Sequence, residues 1–286
     1  MAQLILFVSA FTFLYLPTLL GYNLVFGKGK ILHFGHGALG LVASYGLWTI
    51  FVQFHVPFLL SALFAFCIVT AAALLLAWLS LRLEPDGLGV MSIALHLAVL
   101  AVVLNWQSVT RGALGIPQIP RPDFMGDLPS FTLVVGIVGT LWAVGIWLLN
   151  RSSFGRALEA LAEHPWHAGA LGISRRRIHS IAFVIAGLGA FVSSIFFPMY
   201  LRLLSPSDYG FSAMIFYVLV VVAGGPGRVW SVVTAAFFLT FLREGIRFVR
   251  LPADMIGPAQ LILFGLILFA AVWWRRKSIF PPQREV

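Results

Sequence analysis

The 286-residue chain is 60% hydrophobic and 10% charged, against roughly a quarter charged in an average soluble domain; this excludes a soluble globular fold and indicates an integral membrane protein. Its net charge of +9 comes from Lys and Arg at the ends of apolar runs and in loops, with no soluble domain to present a groove, so it signals membrane orientation and not nucleic-acid binding. A single cysteine, Cys67, excludes an intrachain disulfide and a thiolate-rich metal centre, and inside a charge-free run it reads as a buried packing residue.

Crossing the roughly 30 Å hydrocarbon core takes about 20 apolar residues. The first such run, residues 1–27, has no basic residue ahead of it and no small-x-small cleavage site after a short core, so it is expected to remain as the first membrane helix. Further runs follow at 37–54, 57–81, 87–110, 128–150, 178–201 and 209–227, then a shorter one at 229–242 that extends into Phe248, and a last one at 255–274. Their hydrophobicity is continuous and not alternating, which excludes a β-barrel. The expected fold is an all-α membrane protein, a polytopic bundle of about eight or nine transmembrane helices with re-entrant or broken helices. Residues 1–286 are expected to form a single transmembrane domain, with no segment between spans large enough to be a soluble domain.

Two apolar runs are interrupted by glycine instead of by a hydrophilic loop: residues 26–30, followed by HFGHGALG, and residues 223–228. Broken helices suit a transporter, because freed backbone groups can face a cavity, and their place in opposite halves hints at an inverted repeat. Gly21, Gly35, Gly37, Gly40, Gly46, Gly187 and Gly189, with Ala186, offer small surfaces for close helix contact. Around the first break stand Tyr22, Asn23, His33, Phe34 and His36. Polar atoms at membrane depth are expensive unless they serve a cavity, so two readings stay open: a translocation pathway, or hydrogen bonding local to a helix terminus. His33 with His36, and His164 with His167, have i, i+3 spacing, but Gly35 and Pro165 oppose regular helix there and no third ligand is evident, so no metal site is expected.

The loop 151–177 contains SSFGRALEALAEHPWHAGALGISRRR. Phe154, Leu158 and Leu161 share one helical face and Arg156, Glu159 and Glu163 another; Ser152 or Ser153 caps the start and Pro165 ends the helix. Beyond the bend, Ala168, Gly169, Ala170, Leu171 and Gly172 are mostly small. Spacing leaves two readings open, insertion into a cleft of a partner protein or a position in the lipid headgroups held by Trp166 and the arginines. Arg151, Arg156, Arg175, Arg176 and Arg177 in this loop, and Arg275, Arg276, Lys277 and Arg284 in the tail, place both on the cytoplasmic side, with four spans between them and the N-terminus outside. Arg243, Arg247 and Arg250 fit the outer side poorly, although Glu244 offsets one of them.

No catalytic constellation is present. Gly27-Lys28 is followed by Gly29 where a P-loop needs Ser or Thr, and Tyr22 stands in place of its opening glycine. Ser193 and Ser194 have no histidine near in sequence to act as a base. Glu84, Asp86 and Glu244 lie near span ends, which disfavours an ion-coupled secondary transporter or energy-independent channel.

The segment FGRALEALAEHPWHAGALGISRRRIHSIAF resembles the corresponding loop of permeases of the high-affinity branched-chain amino-acid ABC transporters. GYNLVFGKGKILHFGHGALGLVASYG looks like the family's first-helix and re-entrant signature. Leu114-Gly115-Ile116-Pro117, with Pro120 and Pro122, resembles the external loop of its LivM-like branch, and Leu204-Ser205-Pro206 and VVAGGPGRVWSVV match later loops. Ala186-Gly187-Leu188-Gly189-Ala190 and Phe280-Pro281-Pro282 depart from the usual pattern, which puts the substrate in doubt and not the fold. The resemblance implies a non-enzymatic permease of a bacterial cytoplasmic (inner) membrane that binds no cofactor, ATP and Mg being handled by separate cytoplasmic ABC ATPase subunits. It implies coupling to them through Phe154, Gly155, Arg156, Leu158, Glu159, Ala160, Gly169, Leu171 and Gly172. It also implies a second related permease or a homodimer, an extracytoplasmic solute-binding protein, and branched-chain amino acids as cargo. Urea, short amides or another small organic solute remain the alternative.

Overall fold

In a computed structural model, residues 2–245 and 253–279 are described; Arg247, Arg250 and Arg284 lie outside them. Helix α1 (Ala2–Tyr22) runs on through a π-helical turn, Asn23–Lys28. Then come α2 (His36–Val52), α3 (Phe58–Arg82), α4 (Pro85–Asn105), the one-turn α5 (Gln107–Thr110) and α6 (Leu128–Arg151). The short α7 (Ser153–Glu163) and α8 (Pro165–Ala170) precede α9 (Arg175–Leu201), α10 (Phe211–Gly224), α11 (Val229–Gly245) and α12 (Ala253–Ile279). The protein is an all-α polytopic membrane bundle. Among the described residues five helices, α1 with its π turn, α3, α4, α6 and α9, are long and apolar enough to cross a bilayer, and α2, α10 and part of α12 are shorter apolar helices.

α1 is the central post. In its most apolar stretch 67% of residues are buried, against 28% in α3 and α4 and 22% in α6, so α1 is surrounded by protein while the others present a lipid face. Its backbone touches that of α9: a Cβ on Gly189 would stand 2.2 Å from the Pro17 carbonyl oxygen, and one on Gly21 2.9 Å from Ala186 Cα. Small residues allow this approach, which in lipid replaces the hydrophobic drive that helices lack there. The Ser193 hydroxyl accepts a hydrogen bond from the Thr18 N–H at 3.2 Å beside Pro17.

Cys67 is exposed on α3, not buried. In a span that is apolar all round, lipid solvates the thiol as readily as a core does, and no polar stripe marks which face is which.

The bundle has two distinct ends. The basic end carries α7 and α8, the end of α1 and the α10–α11 turn; there Arg175 also donates to the Ser80 carbonyl near the end of α3 at 3.2 Å. At the opposite end a two-residue antiparallel pair joins Ile116 to Leu204 and Pro117 to Leu203. Arg121 donates to the Met199 and Tyr200 carbonyls at 3.0 and 2.9 Å, satisfying acceptors left free at the end of α9. Asp127 caps α6 by accepting from the Ser130 N–H, and hydrogen bonding from the Ser130 hydroxyl and then its N–H holds the carboxyl below the usual range.

After Lys28 the chain turns back into the bundle without helix. Tyr22 Oη donates to the His33 carbonyl at 2.9 Å, and His36 Nε2 lies 2.9 Å from the Thr18 carbonyl oxygen. Residues 29–35 therefore climb beside α1, and α2 starts inside the bundle, with Gly35 as its N-cap residue. Non-helical backbone at this depth is tolerated only where protein satisfies it; the Phe34 N–H, for example, donates to Ser92 Oγ at 2.8 Å. The second glycine break is a tight α10–α11 turn, and it meets the first: the Gly227 N–H donates to Asn23 Oδ1 at 2.9 Å. The run expected at 209–227 is helical only over 211–224, because Leu204, Pro206 and Tyr209 fold into the bundle and are buried.

Candidate functional site

The amphipathic α7 is seated on the basic end by its apolar face. Ser152 Oγ accepts from the Gly155 N–H at 3.4 Å and caps the helix. Leu158 and Leu161 are fully buried and Phe154 packs against the same core. Gly155 rests on the end of α6, where a Cβ would stand 2.4 Å from the Asn150 carbonyl oxygen; any side chain there would unseat the helix. The polar face is tied down as well: Glu159 forms an ion pair with Lys28, and Glu163 reaches Lys30 at 4.0 Å. Arg156 donates to the Arg151 carbonyl at 2.7 Å.

Beyond His164 the chain leaves this seat. Pro165 starts α8, and Trp166 and Leu171 are 92% and 81% exposed. A Cβ on Gly169 or Gly172 would meet nothing within 4 Å, and Gly172 has φ +79°, a conformation glycine adopts without strain. The nine residues expected to contact a partner thus divide. Gly155 and Leu158 face inward, Phe154 and Ala160 are half-buried, and Arg156, Glu159, Gly169, Leu171 and Gly172 are exposed. Trp166, for which the sequence left a lipid-headgroup position open as one of two readings, belongs with the outward group.

Exposed ion pairs add only about 0–1 kcal/mol to stability, so the pairing of Lys28 with Glu159 can be tested without unfolding the chain. Lys28→Glu and Glu159→Lys are each expected to lower transport about fivefold or more, and the double exchange to restore it to within about twofold of the parent. Equal transport by all three variants would show that the contact carries nothing.

The residues around the first glycine break are packed together inside the bundle. Tyr22, Asn23, His33 and His36 are buried. The His33 ring stands 5.3 Å from that of Tyr22 and 5.1 Å from Phe183, and neither of its nitrogens has a hydrogen-bond partner. Between them and the opposite end lies a cavity of about 580 Å³, lined by Phe11, Tyr15, Asp208, Phe216, Arg243 and others. Adjoining it, with Tyr15, Phe197 and Tyr217 in both walls, is a much smaller space, here called the neck, lined also by Thr18, Ser193 and Tyr209; the His36 ring is 6.2 Å from that of Tyr217. The five residues picked from sequence therefore sit below the neck and none lines the cavity. Asp208 and Tyr15 were missed; the available signal was an acidic residue directly ahead of an apolar run.

The model of the branched-chain amino acid transport system permease component matches residues 4–272. The chain belongs to this permease family. Among relatives, the high-affinity branched-chain amino acid transport system permease protein LivM of Escherichia coli (strain K12) is 27% identical over 97% of this chain and 70% of its own length. LivM of Salmonella typhimurium gives the same figures. The autoinducer 2 import system permease protein LsrC of Klebsiella pneumoniae subsp. pneumoniae is 28% identical over 63% of this chain and 57% of its own length. No solved structure matches. A transport permease is not a catalytic enzyme, so the features of this permease that bear on its function are a surface that meets a partner and a route through the helices. The exposed α8 is the candidate for the first, and the cavity, the neck and the packed break are the candidates for the second.

Proposed function

We propose that the chain is the permease subunit of an ABC importer that carries branched-chain amino acids across a bacterial inner membrane. The observation that carries this reading is the construction of α7 and α8: a rigid amphipathic helix fixed to the end of α1, followed by an exposed apolar tip. A helix of this kind binds a cleft in a separate ATPase, and the ion pairs at its base pass the ATPase's closure to the bundle. Phe154, Gly155, Leu158 and Ala160 seat the helix, while Arg156, Glu159, Gly169, Leu171 and Gly172 meet the ATPase, with Trp166 beside them. ATP and Mg are bound by that subunit.

The density of Lys and Arg puts the basic end in the cytoplasm, so the cavity opens outward, towards a solute-binding protein. Tyr22, Asn23, His33, Phe34 and His36 close the pathway beneath the neck in this conformation. A second, related permease completes the transmembrane unit. The cargo reading is supported by the similarity to LivM over nearly the whole chain. The shorter similarity to LsrC favours a second reading, in which the same architecture imports another small organic solute.

The test is to purify the chain from its native membrane in mild detergent, identify its companions by mass spectrometry, and measure radiolabelled leucine uptake in cells with and without it. Recovery of ATPases with loss of leucine uptake on deletion is the expected result. Isolation without ATPases would overturn the importer reading, and unchanged leucine uptake would overturn the cargo.

A further inference from the structure

Building on the amino-acid cargo proposed above, we infer that the cavity at the outer end is a binding site for the free amino acid within the permease. In it Arg243 receives the α-carboxylate, Asp208 the α-ammonium, and the aromatic wall the apolar side chain.

The size and place of the cavity fit this role. Its volume of about 580 Å³ falls within the ~300–1,000 Å³ typical of small-molecule sites, and it stands directly above the neck. Arg243, near the end of α11, is held between two rings, 5.4 Å from the centroid of Phe11 and 5.6 Å from that of Phe216, and lies beside the Tyr15 hydroxyl. Such stacking fixes the planar guanidinium in the orientation that suits bidentate capture of a carboxylate. Asp208 sits on the turn Pro206–Tyr209, which is anchored by the 2.5 Å hydrogen bond between Tyr209 Oη and Ser44 Oγ.

Asp208 and Arg243 are the two charged residues in a wall that is otherwise aromatic and aliphatic apart from Ser207, Ser212 and Gln260, and they match the two ends of a zwitterion. A simple cation, a simple anion or a sugar would call for a different set. Burial raises the Asp208 carboxyl above its ordinary range although the Arg243 guanidinium draws it down; an ammonium group in the cavity adds to that compensation. The competing account is that the two residues only neutralise each other, and the test separates the two.

The test uses the assembled transporter in right-side-out membrane vesicles without solute-binding protein. Cys67→Ser removes the single cysteine, and Ser212→Cys places a reporter on the cavity wall. A membrane-impermeant maleimide is expected to label position 212 from outside. Millimolar leucine should slow labelling about threefold or more, whereas leucinol, which lacks the carboxylate, and 4-methylpentanoate, which lacks the ammonium, should not. Arg243→Gln or Asp208→Asn should each abolish protection by leucine while the labelling rate without leucine stays within about twofold; Arg243→Lys, which keeps the charge, should retain part of it. In cells, both neutral variants should lower leucine uptake about tenfold. Leucine uptake by the parent with no protection at position 212, or with protection that survives both variants, overturns the site alone. A parent that neither imports leucine nor is protected by it overturns the cargo reading and the site together.

Discussion

Trp166→Asp combined with Leu171→Asp is expected to reduce substrate uptake to background and to strip the ATPases from the purified complex. Both side chains are almost wholly exposed, so the folded bundle should lose no more than about 0.5 kcal/mol, as for ordinary surface changes. At an interface the same residues act differently: truncating a buried aromatic anchor commonly costs about 2 kcal/mol or more, roughly a thirtyfold loss of affinity, and a carboxylate placed in an apolar cleft costs more. The checks are co-purification, uptake, and the melting temperature of the detergent-solubilised chain. If the ATPases remain bound and uptake stays within about twofold of the parent, α8 lies in the lipid headgroups and docking must be sought elsewhere.

Gly27→Val should have an effect of similar size by another route. A Cβ at position 27 would stand 2.2 Å from Asn23 Oδ1 and 2.3 Å from the Gly227 nitrogen. It would break the hydrogen bond that joins the two glycine breaks and force the end of α1 away from the α10–α11 turn. Overpacking of this kind costs about 1–3 kcal/mol, and at a junction of two backbones the relief has to come from moving whole helices. The melting temperature should fall clearly and uptake should be lost. Gly145→Ala is the matched control, since a Cβ there meets nothing within 4 Å; it should melt within about a degree or two of the parent. Equal melting temperatures for the two variants would show that the junction is loose.

The helices were legible in the sequence because bilayer thickness imposes a length on each apolar run, and residues such as Pro57, Pro85 and Arg82 mark where runs stop. The face of each helix was not. Cys67 was read as buried because an unbroken apolar run carries no period to separate lipid from core. Ser152, Leu158 and Leu161 announced α7 through their spacing, yet the partner of Glu159 is Lys28, 131 residues away, and no local pattern reports such a pair. His33 and His36 were recognised as polar groups at membrane depth beside a break, and the structure shows them buried there. Asp208 and Tyr15, which line the cavity above them, come from separate helices and loops that only the assembled bundle brings together. Arg243 drew notice as a charge on the wrong side of the membrane, and its neighbours Phe11 and Phe216 give a reason for it to be there.

The run of helix from Gln3 to Lys28 has a mechanical meaning. At 1.5 Å per residue its 26 residues make a rod about 39 Å long, with Phe7, Phe11 and Tyr15 in the wall of the outer cavity at one end and Lys28 gripped by Glu159 at the other. In the importer reading proposed above, a push applied at the grip would reach the far chamber along one continuous helix, with Pro17 and the π-helical turn as the places where it can bend. The shaft also bears on its neighbours as it moves, because at Gly21 and Gly189 it runs against α9 with no side chains between to act as cushions. In that reading a tilt of a few degrees about that bearing would shift the two tips in opposite directions, and the chamber would widen or narrow as the surface helix is displaced.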